Sequence, residues 1–200
     1  MTRNWDVWDK DRVGIYVSTY GEPENPKPDH LKRMKLMASL IEGDSMLDVG
    51  CGVGHLYHQL PESIDYTGMD SSQPMLDYAK LHAPDAKFML GDAYDLSPFG
   101  TYDTVGAQSL LIHLPEITTP IKEMWKHTAR VMIFSLPASS QPIVRTWEKY
   151  KEKVILSHAE PRSSVVTMLK SLDGFGGYEM IDEKESQMRN VYYKVWRNPV

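Results

Sequence analysis

Cysteine is almost absent: the 200 residues contain one, Cys51. A single thiol permits no disulfide bond within the chain, which excludes the disulfide frameworks of small secreted proteins. No apolar run reaches the about 20 residues that a membrane-spanning helix needs, and no signal peptide is visible. We therefore expect a soluble, cytoplasmic protein without membrane association.

Basic residues are also few, with 22 Lys and Arg against 27 Asp and Glu and a formal net charge of −5. Nonspecific nucleic-acid binding depends on neutralising phosphates, and the chain has no long Lys/Arg run, so a nucleic-acid partner is not expected. With 42% apolar residues the chain can bury one full core, as a single α/β domain does. Composition gives no oligomeric state.

A glycine-rich stretch follows a short apolar run. Met46–Val49 is typical of a buried parallel strand, and Gly50, Gly52 and Gly54 come directly after it. Glycine permits positive φ and has no Cβ, so the backbone can turn tightly and approach a ligand closely. A helix is expected over His55–Leu60, with its N-terminal amides facing the loop, because a proline follows that segment. The stretch indicates a nucleotide-like ligand.

The spacing of the glycines distinguishes two kinds of nucleotide-binding loop. The dinucleotide fingerprint would need a third glycine at position 55, where the chain has His55, so a nicotinamide dinucleotide is disfavoured. The next expected strand, Tyr66–Asp70, ends in a carboxylate that can accept hydrogen bonds from both ribose hydroxyls. A loop that only lets helix and strand pack closely remains the alternative.

The alternation of apolar runs and helical patterns continues through the first 137 residues. Further strands are expected over Ala86–Leu90, Tyr102–Gln108 and Arg130–Pro137, with helices over about Pro74–His82 and Pro120–His127. Strands separated by helices predict an α/β fold with a doubly wound, mostly parallel, Rossmann-like sheet. Ligands bind such sheets at the carboxyl ends of the strands, so Asp70, Asp92 and Gln108 are expected in one crevice.

The chain resembles the class I S-adenosylmethionine-dependent methyltransferases, close to their small single-domain members, over about residues 40–137. The resemblance rests on four motifs in the family's order and spacing: Leu47–Gly54, Gly68–Ser72, Gly91–Ala93 and Tyr102–Leu114. It implies an enzyme that uses S-adenosylmethionine as its cofactor and releases S-adenosylhomocysteine. The family's sheet ends in an antiparallel pair, and Tyr178–Ile181 with Val191–Trp196 can form that C-terminal hairpin.

The resemblance assigns roles around the methionine and ribose portions of the cofactor. It implies that Asp48 organises the loop and hydrogen-bonds the amino end of the methionine moiety, directly or through water. Gly50, Cys51 and Gly52 would lie under the ribose and methionine portions, and Asp70 would hold the ribose hydroxyls. Loop capping is the alternative role for Asp48, and a small loop-filling residue is expected for Cys51 rather than a nucleophile.

The same resemblance assigns the adenine side. Asp92 would accept from the exocyclic amine of adenine, and the amide of Ala93 would reach a ring nitrogen. Met75 would pack on the adenine face beside Ser71, although family members often carry a larger apolar residue at the position of Ser71. Gln108 would offer its backbone carbonyl to the methionine amine. A helix-core residue and a strand-end polar residue are the alternatives for Met75 and Gln108.

An N-terminal arm over residues 1–30 is expected to precede the methyltransferase domain at 31–200. It carries the aromatic residues Trp5, Trp8, Tyr16 and Tyr20, and then a stretch over 21–28 stiffened by three prolines. In the family such a segment often folds over the cofactor, so Tyr16 or Tyr20 would face the sulfonium, with Tyr20 as the assigned contact. Packing on the outer face of the sheet is the alternative.

Acceptor-pocket elements are expected over residues 138–177, since insertions there commonly build the family's acceptor pocket. The apolar residues predict two helices, one with Val144, Trp147, Val154 and Ile155 and the other with Val165, Val166, Leu169 and Leu172.

His113 is the candidate catalytic residue. It follows the fourth predicted strand, where family members carry catalytic or acceptor-facing residues, and its ordinary pKa of about 6.5 suits a general base. A hydrogen-bonded loop histidine is the alternative. No metal site is predicted, because His55 and His58 have no nearby third donor.

The chemistry of methyl transfer asks little of side chains, because a sulfonium methyl is already electrophilic and positioning can supply roughly 7–11 kcal/mol. The chain lacks both the Asn/Asp-Pro-Pro-Tyr/Phe signature and a Pro-Cys nucleophile. Transfer to an oxygen, nitrogen or carbon atom of a small molecule is therefore the leading hypothesis. Transfer to protein or RNA, and a noncatalytic S-adenosylmethionine-binding subunit, remain alternatives.

Overall fold

The structure, a computed structural model, describes residues 7–150, 153–183 and 190–198, with backbone alone at 147–150, 153 and 154. The helices are α1 (Lys10–Tyr20), α2 (Pro28–Ser39), α3 (Gln73–His82), α4 (Thr118–Lys126) and α5 (Arg162–Lys170). The strands are β1 (Gly21–Glu22), β2 (Asn25–Pro26), β3 (Ser45–Val49), β4 (Asp65–Asp70), β5 (Lys87–Leu90), β6 (Tyr102–Ala107), β7 (Thr128–Pro137), β8 (Ile143–Tyr150), β9 (Lys153–Ala159), β10 (Phe175–Asp182) and β11 (Asn190–Arg197).

Seven strands form the central sheet, in the order β10-β11-β7-β6-β3-β4-β5. Strands β3 to β7 are parallel to one another, and β11 pairs antiparallel with both β7 and β10. The predicted α/β fold with its C-terminal antiparallel hairpin is confirmed. Because β3 has β4 on one side and β6 on the other, the strand order reverses there, and the crevice opens at the carboxyl ends of β3 and β6.

Apolar residues explain why these segments form the core. Met46, Leu47 and Val49 of β3 are fully buried, as expected for a parallel strand covered on both faces. The predicted helices at α3 and α4 are confirmed, and α4 buries Ile121 and Met124 on one face.

The helix predicted over His55–Leu60 is wrong. Only Tyr57–Gln59 form a short 3₁₀ turn, so no helix N-terminus faces the glycine loop. Six residues before Pro61 are too few to repay helix nucleation. The ring of His55 instead lies 2.9 Å, through Nε2, from the carbonyl oxygen of Gly21, which fixes this segment against the N-terminal region.

The first helix predicted within residues 138–177 is also wrong, whereas the second is confirmed as α5. Residues 143–150 and 153–159 form an antiparallel ribbon of β8 and β9 outside the central sheet. The β-branched residues of this stretch, such as Val144 and Ile155, favour extended backbone over helix. The ribbon packs on the turn after β6, where the ring of His158 lies 2.9 Å, through Nδ1, from the carbonyl oxygen of Leu114.

The N-terminal region is more regular than the sequence predicts. Residues 1–6, including Trp5, lie outside the described residues, but α1 follows directly and the proline-rich stretch forms a tight β1–β2 hairpin before α2. The boundary predicted between residues 30 and 31 falls inside α2. Glu22 and Glu24 of the hairpin join α3 through Tyr78 (2.6 Å) and His82 (2.7 Å), so this region is anchored beside the crevice.

Candidate cofactor site

The glycine loop after β3 is held by the neighbouring strand. The amides of Gly50 and Cys51 donate to the carbonyl oxygen of Met69 at 2.7 and 2.9 Å, and φ is positive at Gly50, Gly52 and Gly54. Only glycine adopts such φ values without strain, so three glycines in five residues produce this tight turn.

The three glycines differ in what lies above them. A Cβ on Gly50 would lie 2.8 Å from the side chain of Leu110, and one on Gly54 would lie 3.1 Å from the ring of Phe88. On Gly52 the nearest atom is the hydroxyl of Tyr16, at 3.8 Å. Gly50 and Gly54 therefore serve packing, whereas a Cβ on Gly52 would meet only the Tyr16 phenol, which bounds the space where a ligand would approach the loop.

Asp70 lies beside that space. Its Oδ2 accepts from the amide of Gly52 and its Oδ1 from the amide of Ser72, both at 2.9 Å. Burial raises the pKa of this carboxyl, and the backbone donors oppose the rise. Each oxygen of a carboxylate has two lone pairs, so both can still accept a ligand hydroxyl.

Asp48 is 2% exposed at the end of β3, and the hydroxyl of Tyr66 donates to its Oδ2 at 2.9 Å. Burial, partly offset by that hydrogen bond, raises the pKa of Asp48 from 3.8 to about 7. The hydrogen bond from Tyr66 to Asp48 was not predicted from the sequence. The signal available in the sequence was the position of Tyr66 at the start of the predicted strand Tyr66–Asp70, next to β3.

The adenine-side residues follow β4 and β5. Asp92 accepts from the amide of Tyr94 at 2.9 Å, and Ala93 after it is buried. Met75 packs among Val13 of α1 and Val53 of the glycine loop, which agrees with the helix-core alternative. Ser71 is partly exposed next to Asp70. Their contacts with adenine remain predictions.

Aromatic side chains of α1 cover the glycine loop. Tyr16 is the tyrosine over Gly52, while the ring of Tyr20 lies 4.8 Å from that of His30. The contact of Tyr20 with the cofactor stays a prediction. Burial raises the pKa of Tyr16, so its hydroxyl stays neutral. Tyr16 therefore does not pack on the outer face of the sheet, which was the alternative.

Cys51 lies within the glycine loop, and Gln108 directly follows β6. Burial, with the nearby carboxyls of Asp70 and Asp48, raises the pKa of the Cys51 thiol, which suits a packing residue and not a nucleophile. The side-chain amide of Gln108 donates to Ser109 Oγ at 3.1 Å, while its Oε1 is buried without a partner.

His113 is enclosed between two elements. Its Nδ1 lies 3.1 Å from the carbonyl oxygen of Leu156 in β9, and its ring meets that of Trp8 edge-on at 5.4 Å. Burial lowers the pKa of His113. These surroundings favour the hydrogen-bonded loop histidine over the general base, which stays a prediction.

In the part of the chain that the structure describes, no group of three or more His, Cys, Asp or Glu is placed to hold a metal ion. His55 and His58 do not share a helix face, because no helix forms there. Across the same residues, none of the helices has the length and apolar character needed to cross a membrane.

Comparison with known proteins finds similarity to methyltransferases over the central part of the chain. A family model described as a methyltransferase domain matches residues 46–131. A ubiquinone biosynthesis O-methyltransferase from Shewanella halifaxensis is 29% identical over 120 residues, which cover 53% of this chain and 51% of that protein. A trans-aconitate 2-methyltransferase from Escherichia coli is 30% identical over 105 residues, covering 51% of this chain and 40% of that protein. The chain thus spans about half the length of the curated relatives it matches.

Among solved structures, a magnesium protoporphyrin IX methyltransferase from Synechocystis, crystallised with S-adenosylhomocysteine, superposes with a TM-score of 0.73. The two chains are 19% identical, and the superposition covers 97% of this chain and 98% of that one. At this identity the likeness establishes a shared fold.

Proposed function

We propose that the chain is a class I S-adenosylmethionine-dependent methyltransferase that transfers a methyl group from S-adenosylmethionine to an oxygen, nitrogen or carbon atom of a small molecule. The match of residues 46–131 to a methyltransferase domain supports this. The observation that carries the proposal is the hydrogen bond from the amide of Gly52 to the partly buried carboxylate of Asp70, beside a Cβ position at Gly52 that faces only the phenol of Tyr16. The relatives named above support a small acceptor, since their names refer to ubiquinone biosynthesis, trans-aconitate and magnesium protoporphyrin IX.

The residues around this space fit the cofactor. Asp70 would accept from the ribose hydroxyls while its oxygens still hold the loop amides. Asp92 and Ala93 lie at the end of β5, where they would bind the adenine. Asp48, ionised above a pH of about 7, would attract the ammonium group of the methionine portion, directly or through water.

When bound, the cofactor supplies an activated sulfonium methyl group, so this chain mainly orients the reactants and excludes water. Tyr16 lies over Gly52 with a neutral hydroxyl, and its ring would close the crevice above the loop. The loop backbone at Gly52 would hold the donor from below. A neutral amine acceptor needs no base in the displacement step and can release its proton to solvent afterwards, whereas a hydroxyl acceptor must give up its proton, and we assign no residue to that transfer.

The test is a screen for transfer of a labelled methyl group from S-adenosylmethionine to pooled small molecules, proteins and RNA, with S-adenosylhomocysteine as the counted product. Wild-type protein is expected to label a small molecule, and Asp70→Ala is expected to label it far more slowly. The matched control is Asp65→Ala, which removes an exposed carboxylate from the other end of β4. Cofactor binding without transfer to any pool would indicate a noncatalytic binding subunit.

A further inference from the structure

Buried polar atoms without a hydrogen-bond partner are concentrated in one place. Among the described residues, seven of the eight such side-chain atoms belong to a group that we call the polar cluster. Its members are His30, His55, Gln108, Glu183, Asn190 and Tyr192. Proteins rarely retain buried polar atoms unpaired, because each has lost its water without gaining a partner. Their concentration points to a ligand that supplies the missing partners.

Ring and charge contacts connect one half of the polar cluster. The rings of His55 and His30 lie 4.4 Å apart, and the ring of Tyr20 lies 4.8 Å from that of His30. The guanidinium of Arg33 lies over Tyr20 at 5.7 Å, and its Nε is 3.8 Å from Oε1 of Glu183. Arg33 is 6% exposed, so this ion pair is buried.

The other members of the polar cluster, Glu183, Asn190, Tyr192 and Gln108, lie at the end of the sheet nearest the crevice. The amide of Glu183 donates to the carbonyl oxygen of Asn190 at 3.0 Å, and Tyr192 follows two residues later on the same face of β11. The hydroxyl of Tyr192 lies near the side chain of Gln108 but forms no hydrogen bond of ordinary geometry with it.

The strand order separates Glu183, Asn190 and Tyr192 from the residues assigned to the cofactor, whereas Gln108, also assigned to the cofactor through its backbone carbonyl, and His55, directly after the glycine loop, border both groups. Asp92, Asp70 and the glycine loop follow β5, β4 and β3, which are consecutive in the sheet. Gln108 follows β6, and Asn190 and Tyr192 lie in β11, two strands further away. With neighbouring strands about 4.7–4.9 Å apart, β6 to β11 spans about 10 Å, the width of a small molecule. If the methyl donor binds over β5, β4 and β3, the half of the crevice over β6, β7 and β11 remains for the methyl acceptor.

The unpaired atoms also define the chemistry that fits. Glu183 offers a carboxylate oxygen, and Gln108 and Asn190 offer amide oxygens, all of which accept hydrogen bonds, whereas the neutral ring of His30 has one N–H to donate. A carboxylate ligand would face these oxygens with its own lone pairs. The guanidinium of Arg33 is already directed to Glu183 and, through Nε, to the carbonyl oxygen of Asp29.

We propose that the polar cluster is the acceptor-recognition site and that it takes a small molecule carrying several hydroxyl or amino groups. The proposal rests on the proposed methyltransferase function, because it concerns the second substrate of the same crevice. Glu183 would be the main specificity-determining residue, and Arg33 would position its carboxylate.

A stability measurement tests whether the hydroxyl of Tyr192 is unpaired, and it does not require the acceptor to be known. Tyr192→Phe removes a hydroxyl that has no partner, so the melting temperature of the free protein is expected to stay unchanged or rise by about 2–4 °C. The matched control is Tyr66→Phe, which removes a buried hydroxyl that donates to Asp48 and is expected to lower the melting temperature. A fall for Tyr192→Phe as large as that for Tyr66→Phe would overturn the proposal.

A transfer measurement tests the acceptor class. Labelled S-adenosylmethionine is offered with polyols, phenols, amines and carboxylic acids, including glucosamine, catechol and trans-aconitate. We expect labelling of hydroxyl or amino compounds, and Glu183→Gln should raise their KM at least tenfold without changing S-adenosylhomocysteine affinity. Glu179→Gln, on the exposed part of β10, is the control and should leave KM unchanged.

Labelling of carboxylic acids alone, or of no hydroxyl or amino compound, would overturn the proposal, as would an unchanged KM in Glu183→Gln. Failure of this inference and failure of the proposed function are distinguishable. If S-adenosylhomocysteine does not bind to wild-type protein, the methyltransferase assignment itself fails. If it binds and Tyr192→Phe is as destabilising as Tyr66→Phe, only the acceptor site is lost.

Discussion

The amide of Gly52 donates a 2.9 Å hydrogen bond to Oδ2 of Asp70, eighteen residues further along the chain. This bond joins the loop after β3 to the end of β4. The carboxylate proposed to bind the ribose therefore also fixes the loop that lies under the cofactor. Changes at either residue should affect cofactor binding more than folding, because the surrounding strands β3 and β4 are held by their own backbone pairing.

Asp70→Ala is expected to weaken S-adenosylhomocysteine binding by about 1.5–3 kcal/mol, because it removes a charged acceptor from paired hydroxyls. That corresponds to about a 10- to 150-fold rise in the dissociation constant. Calorimetric titration checks this, with circular dichroism to verify folding. The exposed Asp65→Ala should bind normally, and an unchanged affinity in Asp70→Ala would mean that another residue holds the ribose.

Gly52→Val is expected to abolish measurable S-adenosylhomocysteine binding, since its φ of 56° strains a β-branched residue and its side chain would fill the space over the loop. Gly100→Val provides the control, because Gly100 has no atom within 4 Å of a Cβ position and lies away from the crevice. Normal binding by Gly52→Val, measured by titration, would show that the loop does not contact the ligand.

Asp48 should produce a pH-dependent difference in stability. A carboxyl whose pKa rises on folding, here from 3.8 to about 7, stabilises the folded state below the lower value and loses that contribution as pH rises to the higher. Asp48→Asn does not titrate, so its unfolding free energy relative to wild type should rise by about 2–4 kcal/mol between pH 4 and 7. Urea denaturation at several pH values measures this. Parallel profiles for the two proteins would refute the raised pKa.

The sequence was sufficient for the central sheet because each buried strand is an apolar run bounded by glycine, proline or a carboxylate. Asp70 could be placed from spacing alone, since a parallel strand must end beside the loop of its neighbour. The ribbon could not be predicted, because Val144 and Ile155 fit a helical period as well as a strand. The helix predicted directly after Gly54 does not form for a different reason. The segment has residues that favour a helix, but it is too short to nucleate one.

Apart from Gln108, which was expected in the crevice, the polar cluster could not be predicted from the sequence. Arg33 and Glu183 come from opposite ends of the chain, and neither belongs to a motif with fixed spacing. Tyr192 belongs to an apolar run that correctly predicts a strand, and nothing in that run indicates that its hydroxyl lacks a partner. Such contacts depend on how α2 and the C-terminal hairpin pack at the same edge of the sheet, which local patterns do not specify.

His113→Ala should lower turnover by less than tenfold and leave the acidic limb of the pH–rate profile in place, because Nδ1 of His113 is directed at the carbonyl oxygen of Leu156. The variant should also be less stable, since it removes a partly buried ring packed on Trp8. Steady-state kinetics across pH decides the matter. A loss of about 10²–10⁴-fold together with disappearance of that limb would establish His113 as the general base.

The central claim is that the folded chain has a binding site for S-adenosylmethionine formed by the glycine loop and Asp70. Thermal unfolding with and without S-adenosylhomocysteine tests it most directly, because a ligand that binds only the folded state stabilises it. At about one hundred times the dissociation constant the gain is about 2.7 kcal/mol. The melting temperature should then rise by about 5–11 °C in wild-type protein and by much less in Asp70→Ala at the same ligand concentration. No rise in wild-type protein at millimolar S-adenosylhomocysteine would contradict the assignment of this crevice as the cofactor site.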